Sequence, residues 1–223
     1  MSSTQLFRLS GISLLLGAVV SVIAGILTFF VDTSYTASLS TFRSPLWSTY
    51  YSLFFVALAL ILLGLPALYL RQAGRRGGVL GLVGVFLIVL GNFLLMAMIG
   101  YFVSILPLLA AKAPQVINAA FESGFGIFPL GGTAFGLIGL ILLGIAVIRS
   151  RVFPPFVGIL LIASVVLSLV AFFLQSGDLL AAIIGLLGTT SAAIAYGWVG
   201  TILTKRQNVA GVEVSSSVQA VLR

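Results

Sequence analysis

Thr189, Thr190 and Ser191 follow one another in the chain, and Tyr196 comes a turn or so later. Hydroxyls grouped in this way can hold a polar ligand or line a narrow path for a neutral solute. Inside an apolar helix they equally bond the carbonyl four residues back, and then they serve packing alone. Ser164 and Ser168 stand four apart, with Gln175 further along the same helical face, and invite the same two readings. Asn92 is isolated beside Gly91 in the middle of another apolar run. Its amide is either a ligand or pore contact or an interhelical hydrogen bond, the latter worth ~0.6 kcal/mol on average.

Catalysis asks for more than this, at the least a nucleophile with a base or a pair of carboxylates. The four acids, Asp32, Glu122, Asp178 and Glu213, are isolated in loops or in the tail. Asp32, Glu122 and Asp178, gathered on one surface with Arg43 or Lys112, would be the one enzymatic arrangement open to them. The chain has no cysteine and no histidine. Disulfides, thiolate chemistry and the usual zinc, copper and haem ligands are therefore not on offer, and no catalytic residue, metal site or cofactor is expected. Met96 and Met98 read as apolar filler.

Of the 223 residues, 61% are hydrophobic and 7% charged, against about 25% charged in a soluble domain. An aqueous globule is excluded, and the class is integral membrane. Uncharged runs of about 20 residues predict transmembrane helices. They fall at about 9–31, 49–70, 79–106, 129–148, 155–175 and 179–204. The expected fold is all-α, a polytopic bundle of six helices forming one membrane domain over 1–204, with a disordered tail over 205–223. The first run is longer than the ~7 to 15 residues of a secretory leader and reads as a retained helix. The third stays apolar from 79 to 111, longer than a ~30 Å hydrocarbon core requires, so it must tilt or break near Pro107. Pro66 is expected to kink the second. Over 114–122, Val116, Ile117 and Phe121 oppose Gln115, Asn118 and Glu122, the pattern of a short interfacial helix. Tyr35, Phe42, Trp47, Tyr50 and Tyr51 are expected at a headgroup boundary.

Small residues recur at helical spacing and are expected to pack helices, within one chain or between copies. Gly81, Gly84 and Gly91 share a face of the third span, Gly132 and Gly136 form a GxxxG motif in the fourth, and Gly185, Gly188 and Ala192 belong to a stripe in the sixth. The string LILLG occurs at 60–64 and again at 140–144. It would mark a repeat of parallel hairpins, but it is short enough to arise by chance.

The basic turn Arg71-Gln72-Ala73-Gly74-Arg75-Arg76-Gly77-Gly78 sits between two uncharged runs. With this turn in the cytoplasm, alternation places Arg8, Arg71, Arg75, Arg76, Arg149, Arg151, Lys205, Arg206 and Arg223 inside and only Arg43 and Lys112 outside. That asymmetry predicts that both termini are cytoplasmic. The net charge of +7 then serves orientation and contact with anionic lipid headgroups, not nucleic acid, and the expected location is a bacterial cytoplasmic membrane. The leading reading is a non-catalytic bundle acting through helix packing, as a subunit or assembly partner of a membrane complex or as a homo-oligomer. The alternative is a channel or facilitator for a small neutral or lipophilic solute, lined by the hydroxyls and Asn92. A membrane enzyme built on the outer-loop carboxylates comes third. Convergence of the polar side chains on one cavity would favour the facilitator, and local capping would favour packing.

Because no native cysteine interferes, single cysteines at Ser38, Ala73, Ser123, Ser150 and Ser215 report the topology directly. An impermeant thiol reagent added to intact cells should label positions 38 and 123 only. Labelling at position 73 from outside would overturn the orientation.

Overall fold

The computed structural model describes residues 3–33, 37–117, 126–174 and 179–205, and every regular element among them is helical. In chain order these are α1 (Ser3–Leu27), α2 (Leu39–Phe42), α3 (Pro45–Gln72), α4 (Gly78–Ser104), α5 (Leu106–Lys112), a 3₁₀ turn (Pro114–Val116), α6 (Ile127–Ser150), α7 (Pro155–Phe173) and α8 (Leu179–Thr204). Six of them, α1, α3, α4, α6, α7 and α8, are long and apolar enough to cross a membrane. The chain is a multi-pass membrane protein.

Local signals set the boundaries. Pro45 occupies the first turn of α3, and the Ser44 hydroxyl accepts from the Leu46 N–H at 3.2 Å, so α3 starts ahead of the expected 49. The helix then continues through Pro66. The long run over 79–111 is interrupted at a single residue: α4 ends at Ser104 and α5 begins at Leu106. Ile105 between them keeps the right-handed helical conformation and its N–H bonds the Tyr101 carbonyl at 2.9 Å, so Gly78–Lys112 forms one span of 35 residues with Pro107 just past the interruption. α1 ends at Leu27, short of the expected 31, in a turn closed by the Phe30 N–H on the Leu27 carbonyl at 3.0 Å. Of the interfacial helix expected over 114–122, residues 114–116 form a single 3₁₀ turn, while 118–122 lie outside the described residues. So do the turn at 176–178, Gln175 and the tail from 206 onward.

The six spans form a ring. Each packs antiparallel on the next, and α8 closes back on α1; the α4–α6 and α1–α8 pairings are the most extensive. In lipid the transfer of apolar side chains drives little association, so helices adhere through close packing, and small residues allow it. Here the backbones themselves meet. A β-carbon added at Gly84 would lie 2.9 Å from the Gly139 carbonyl oxygen, and one at Gly91 would lie 2.6 Å from that of Gly132. Between α1 and α8, additions at Gly11 and Gly200 would meet each other's carbonyl oxygens at 2.8 and 2.7 Å. Between α6 and α7, Gly144 faces the Gly158 carbonyl at 2.8 Å on the same measure. Gly17 lies against Ile61, and Gly64 against Leu14, which joins α1 to α3.

Several glycines singled out in the sequence are looser. Gly81 faces the Gln72 side chain and Ala146, Gly185 would meet only Ala171 at 3.8 Å, and Gly136 has nothing within 4 Å of an added β-carbon. Gly188 faces the Ser164 carbonyl at 3.3 Å, and Ala192 packs half-buried on the core. The two LILLG strings are used differently, since Gly64 packs back on α1 whereas Gly144 packs forward on α7.

At the end carrying the basic turns all six spans contribute to one apolar core, through Leu14, Leu68, Ile88, Val147, Leu161 and Val199. Phe153, from the α6–α7 turn, is buried in it. At the opposite end a second cluster joins the start of α3 to the end of α4, under α2 and α5. Its centre is Trp47, whose Nε1 donates to the Phe102 carbonyl at 3.1 Å and whose ring meets Phe42 edge-on at 4.9 Å. Phe42, Trp47 and Tyr51 are buried, so these rings hold a cap together inside the protein. Among the described residues no comparable core covers α7 and α8 at this end, where nothing in α7 after Val165 and nothing in α8 before Gly188 is buried.

The two glycines of the GxxxG motif are therefore expected to behave differently. In Gly132→Ala the new methyl meets Leu95 Cγ at 2.8 Å and the Gly91 carbonyl at 3.0 Å, an overpacking that costs about 1–3 kcal/mol. Gly136→Ala meets nothing and gains helix propensity, up to about 1 kcal/mol. Thermal melts in detergent should rank Gly132→Ala below native and Gly136→Ala level with it or above. The reverse order would contradict the α4–α6 seam.

Candidate functional site

The buried polar side chains are the material from which a site would have to be built. On α7, the Ser164 hydroxyl donates to the Leu161 carbonyl of its own helix at 2.7 Å. Ser168 is half-buried toward α8, with its Oγ 3.2 Å from a β-carbon added at Gly188. On α8, Ser191 donates across the seam to the Leu160 carbonyl at 2.9 Å. Thr189 donates to the Gly185 carbonyl at 3.0 Å and turns its methyl toward α1, 3.6 Å from a β-carbon added at Gly25. Thr190 is half-buried between them, and Tyr196 is buried in the six-span core. Consecutive residues on α8 point about 100° apart, which is why neighbours in sequence serve different seams.

Asn92 lies elsewhere. It is 7% exposed on α4, whose extensive partners are α3 and α6, not α7 or α8. No hydrogen bond joins its amide to another described residue. The structure thus brings Ser164, Ser168 and Ser191 together at the α7–α8 seam, directs Thr189 to α1, and leaves Asn92 apart. Of the four carboxylates only Asp32 is among the described residues, so the constellation with Glu122 and Asp178 lies largely outside them. Arg43, one of its expected cations, donates through its guanidinium to the Ala110 carbonyl and ties the end of α2 to α5.

A buried amide absent from the expected set is Gln72, the last residue of α3. It is 0% exposed, and neither its Nε2 nor its Oε1 has a hydrogen-bond partner among the described residues. Its Oε1 lies against Gly81, 3.4 Å from where a β-carbon would stand. The signal was periodic, for Leu65, Leu68 and Gln72 fall on one helical face. Its membership of an arginine-rich turn disguised it. An orphaned buried amide costs about 1–3 kcal/mol and offers one donor side and one acceptor, with no acid or base capacity. On the surface of α1, Gln5, Arg8, Leu9 and Ile12 line an open hollow of about 410 Å³. Compared with known protein families, with curated proteins and with solved structures, the chain matches none.

Replacing Gln72 separates a structural cost from a binding role. Gln72→Leu removes both orphaned atoms and keeps an apolar body of similar length, so the melting temperature should hold or rise, by the equivalent of up to about 1–3 kcal/mol. A clear fall in melting temperature would show that the amide has a partner in the membrane.

Proposed function

We propose that the protein is a non-catalytic membrane module, a self-closed six-helix unit that serves as a subunit or assembly partner of a larger membrane complex. The observation that carries this reading is the dispersal of its buried polar groups. Ser164 and Thr189 bond their own helices, Ser191 bonds across one seam, and Asn92 lies on a helix that does not pack extensively on the other two. A route for a polar solute needs donors and acceptors in succession along one path, and dispersed capping supports packing instead. Ionisable side chains, which transport at membrane depth ordinarily requires, are absent from the middle of every span.

The tight glycines also favour a unit complete in itself. Gly84, Gly91, Gly132 and Gly139 face one another inside the chain, so the strongest seam is not free for a second copy. Partners would then engage the two ends and the lipid-facing sides. The charge asymmetry supports a cytoplasmic basic end, both termini inside, contact with anionic headgroups on that side, and residence in a bacterial cytoplasmic membrane.

The facilitator remains the second reading, favoured by the buried amide of Asn92 at the middle of α4, which has no hydrogen bond to a described residue. Reconstituted vesicles separate the two. Vesicles containing the native protein should equilibrate glycerol and urea no faster than empty ones, and Asn92→Leu should shift stability by no more than about 1 kcal/mol. Faster equilibration by the native protein, abolished in Asn92→Leu at unchanged melting temperature, would refute the module reading.

A further inference from the structure

Two turns at the basic end lie against each other. Gly77, in the left-handed conformation at φ 102°, lays the α3–α4 turn on the end of α6. A β-carbon there would stand 3.1 Å from the Ala146 carbonyl oxygen and 3.4 Å from Cβ of Arg149. Arg71, Arg75 and Arg76 from the first turn and Arg149 and Arg151 from the second are thereby gathered into one patch. All but the half-buried Arg71 are exposed. Arg151 holds the left-handed C-cap of α6 at φ 54°. Glycine is the usual residue at that position, so a guanidinium is retained there against a backbone preference.

No described carboxylate lies at this end, since Asp32, the only one described, follows α1 at the other. Five like charges with no described carboxylate among them repel one another and are favourable where anions gather. The patch also borders lipid. Leu70 is exposed just before it, and Val79, Leu82 and Phe86, all exposed, run along one face of α4 directly below it. Guanidinium groups above an apolar track match a phosphate that carries acyl chains, and the track distinguishes such a ligand from nucleic acid or free phosphate.

We infer that the α3–α4 turn and the end of α6 form a headgroup site for an anionic phospholipid. Arginines from both turns hold its phosphate, and an acyl chain lies along Val79, Leu82 and Phe86. This rests on the reading of the helices as membrane spans, and not on which side of the membrane the basic end faces. Native mass spectrometry of the full chain in neutral detergent, titrated with cardiolipin, phosphatidylglycerol or phosphatidylcholine, tests it. Cardiolipin and phosphatidylglycerol should bind at least about tenfold more tightly than phosphatidylcholine. The pair Arg75→Gln/Arg149→Gln should weaken the anionic lipids by about tenfold or more. Arg8→Gln/Lys205→Gln, an equal loss of charge at the same end, should change them by less than about twofold. Equal weakening by both pairs would reduce the site to diffuse charge, and absence of lipid preference would remove it. Displacement by millimolar inorganic phosphate alone would reassign it to a free anion. Thiol labelling at position 73 reads the orientation separately, so failure of the lipid site and failure of the topology are told apart.

Discussion

Contact between helix backbones at glycine is the interaction on which this bundle depends. Apolar side chains gain little by leaving lipid for protein, so two spans stay together only if many atoms come into close contact. Gly11 with Gly200, Gly84 with Gly139, Gly91 with Gly132 and Gly144 with Gly158 each remove the side chain from both partners at the crossing. The backbones then approach until a carbonyl on one helix touches the α-carbon region of the next, where Cα–H···O contacts add to dispersion. Because the spans form a ring, the seams are not independent. A side chain that separates α4 from α6 must also disturb α3 or α7, and the disturbance reaches the α8–α1 closure.

The sequence made the spans legible because length and lack of charge are properties of a single segment. The seams were less legible because each is a property of two segments. The stripe through Gly185 and Gly188 shows clearly in α8, yet the tightest glycine there is Gly200, which lies on a second small-residue face with Ala193, Gly197 and Thr204 and meets Gly11. Gly144 and Gly158 are likewise isolated in their helices and find each other only across the α6–α7 turn. Gly136, half of a recognisable motif, meets Gly91 only through its backbone, and a β-carbon on Gly136 itself would point into open space. Tertiary context also redirected the aromatic residues. Trp47 reads as a headgroup anchor by composition, but its indole N–H finds the Phe102 carbonyl and is buried.

The same packing decides where function can reside. Ser164 and Thr189 bond carbonyls of their own helices and Ser191 one across the α7–α8 seam, and all six spans close one apolar core at the basic end. Chemical variety is concentrated at the ends. One end carries gathered arginines, with the unpartnered Gln72 amide buried at the close of α3; the other carries the aromatic cap, closed by the bond from Arg43 to the Ala110 carbonyl. In the proposed function, lipid or a partner is recognised at these ends, and the glycines keep the two ends in fixed relation.

The central claim is that the ring closes within one chain, between its first and last spans. A β-carbon at Gly197 would lie 3.9 Å from that of Ala18, inside the range a disulfide requires. Since the chain has no cysteine of its own, the double variant Ala18→Cys/Gly197→Cys can be oxidised in membranes and run without reductant. A closed ring predicts an internal crosslink, seen as a monomer of altered mobility that reduction restores. A covalent dimer, or two thiols that remain free, would contradict it.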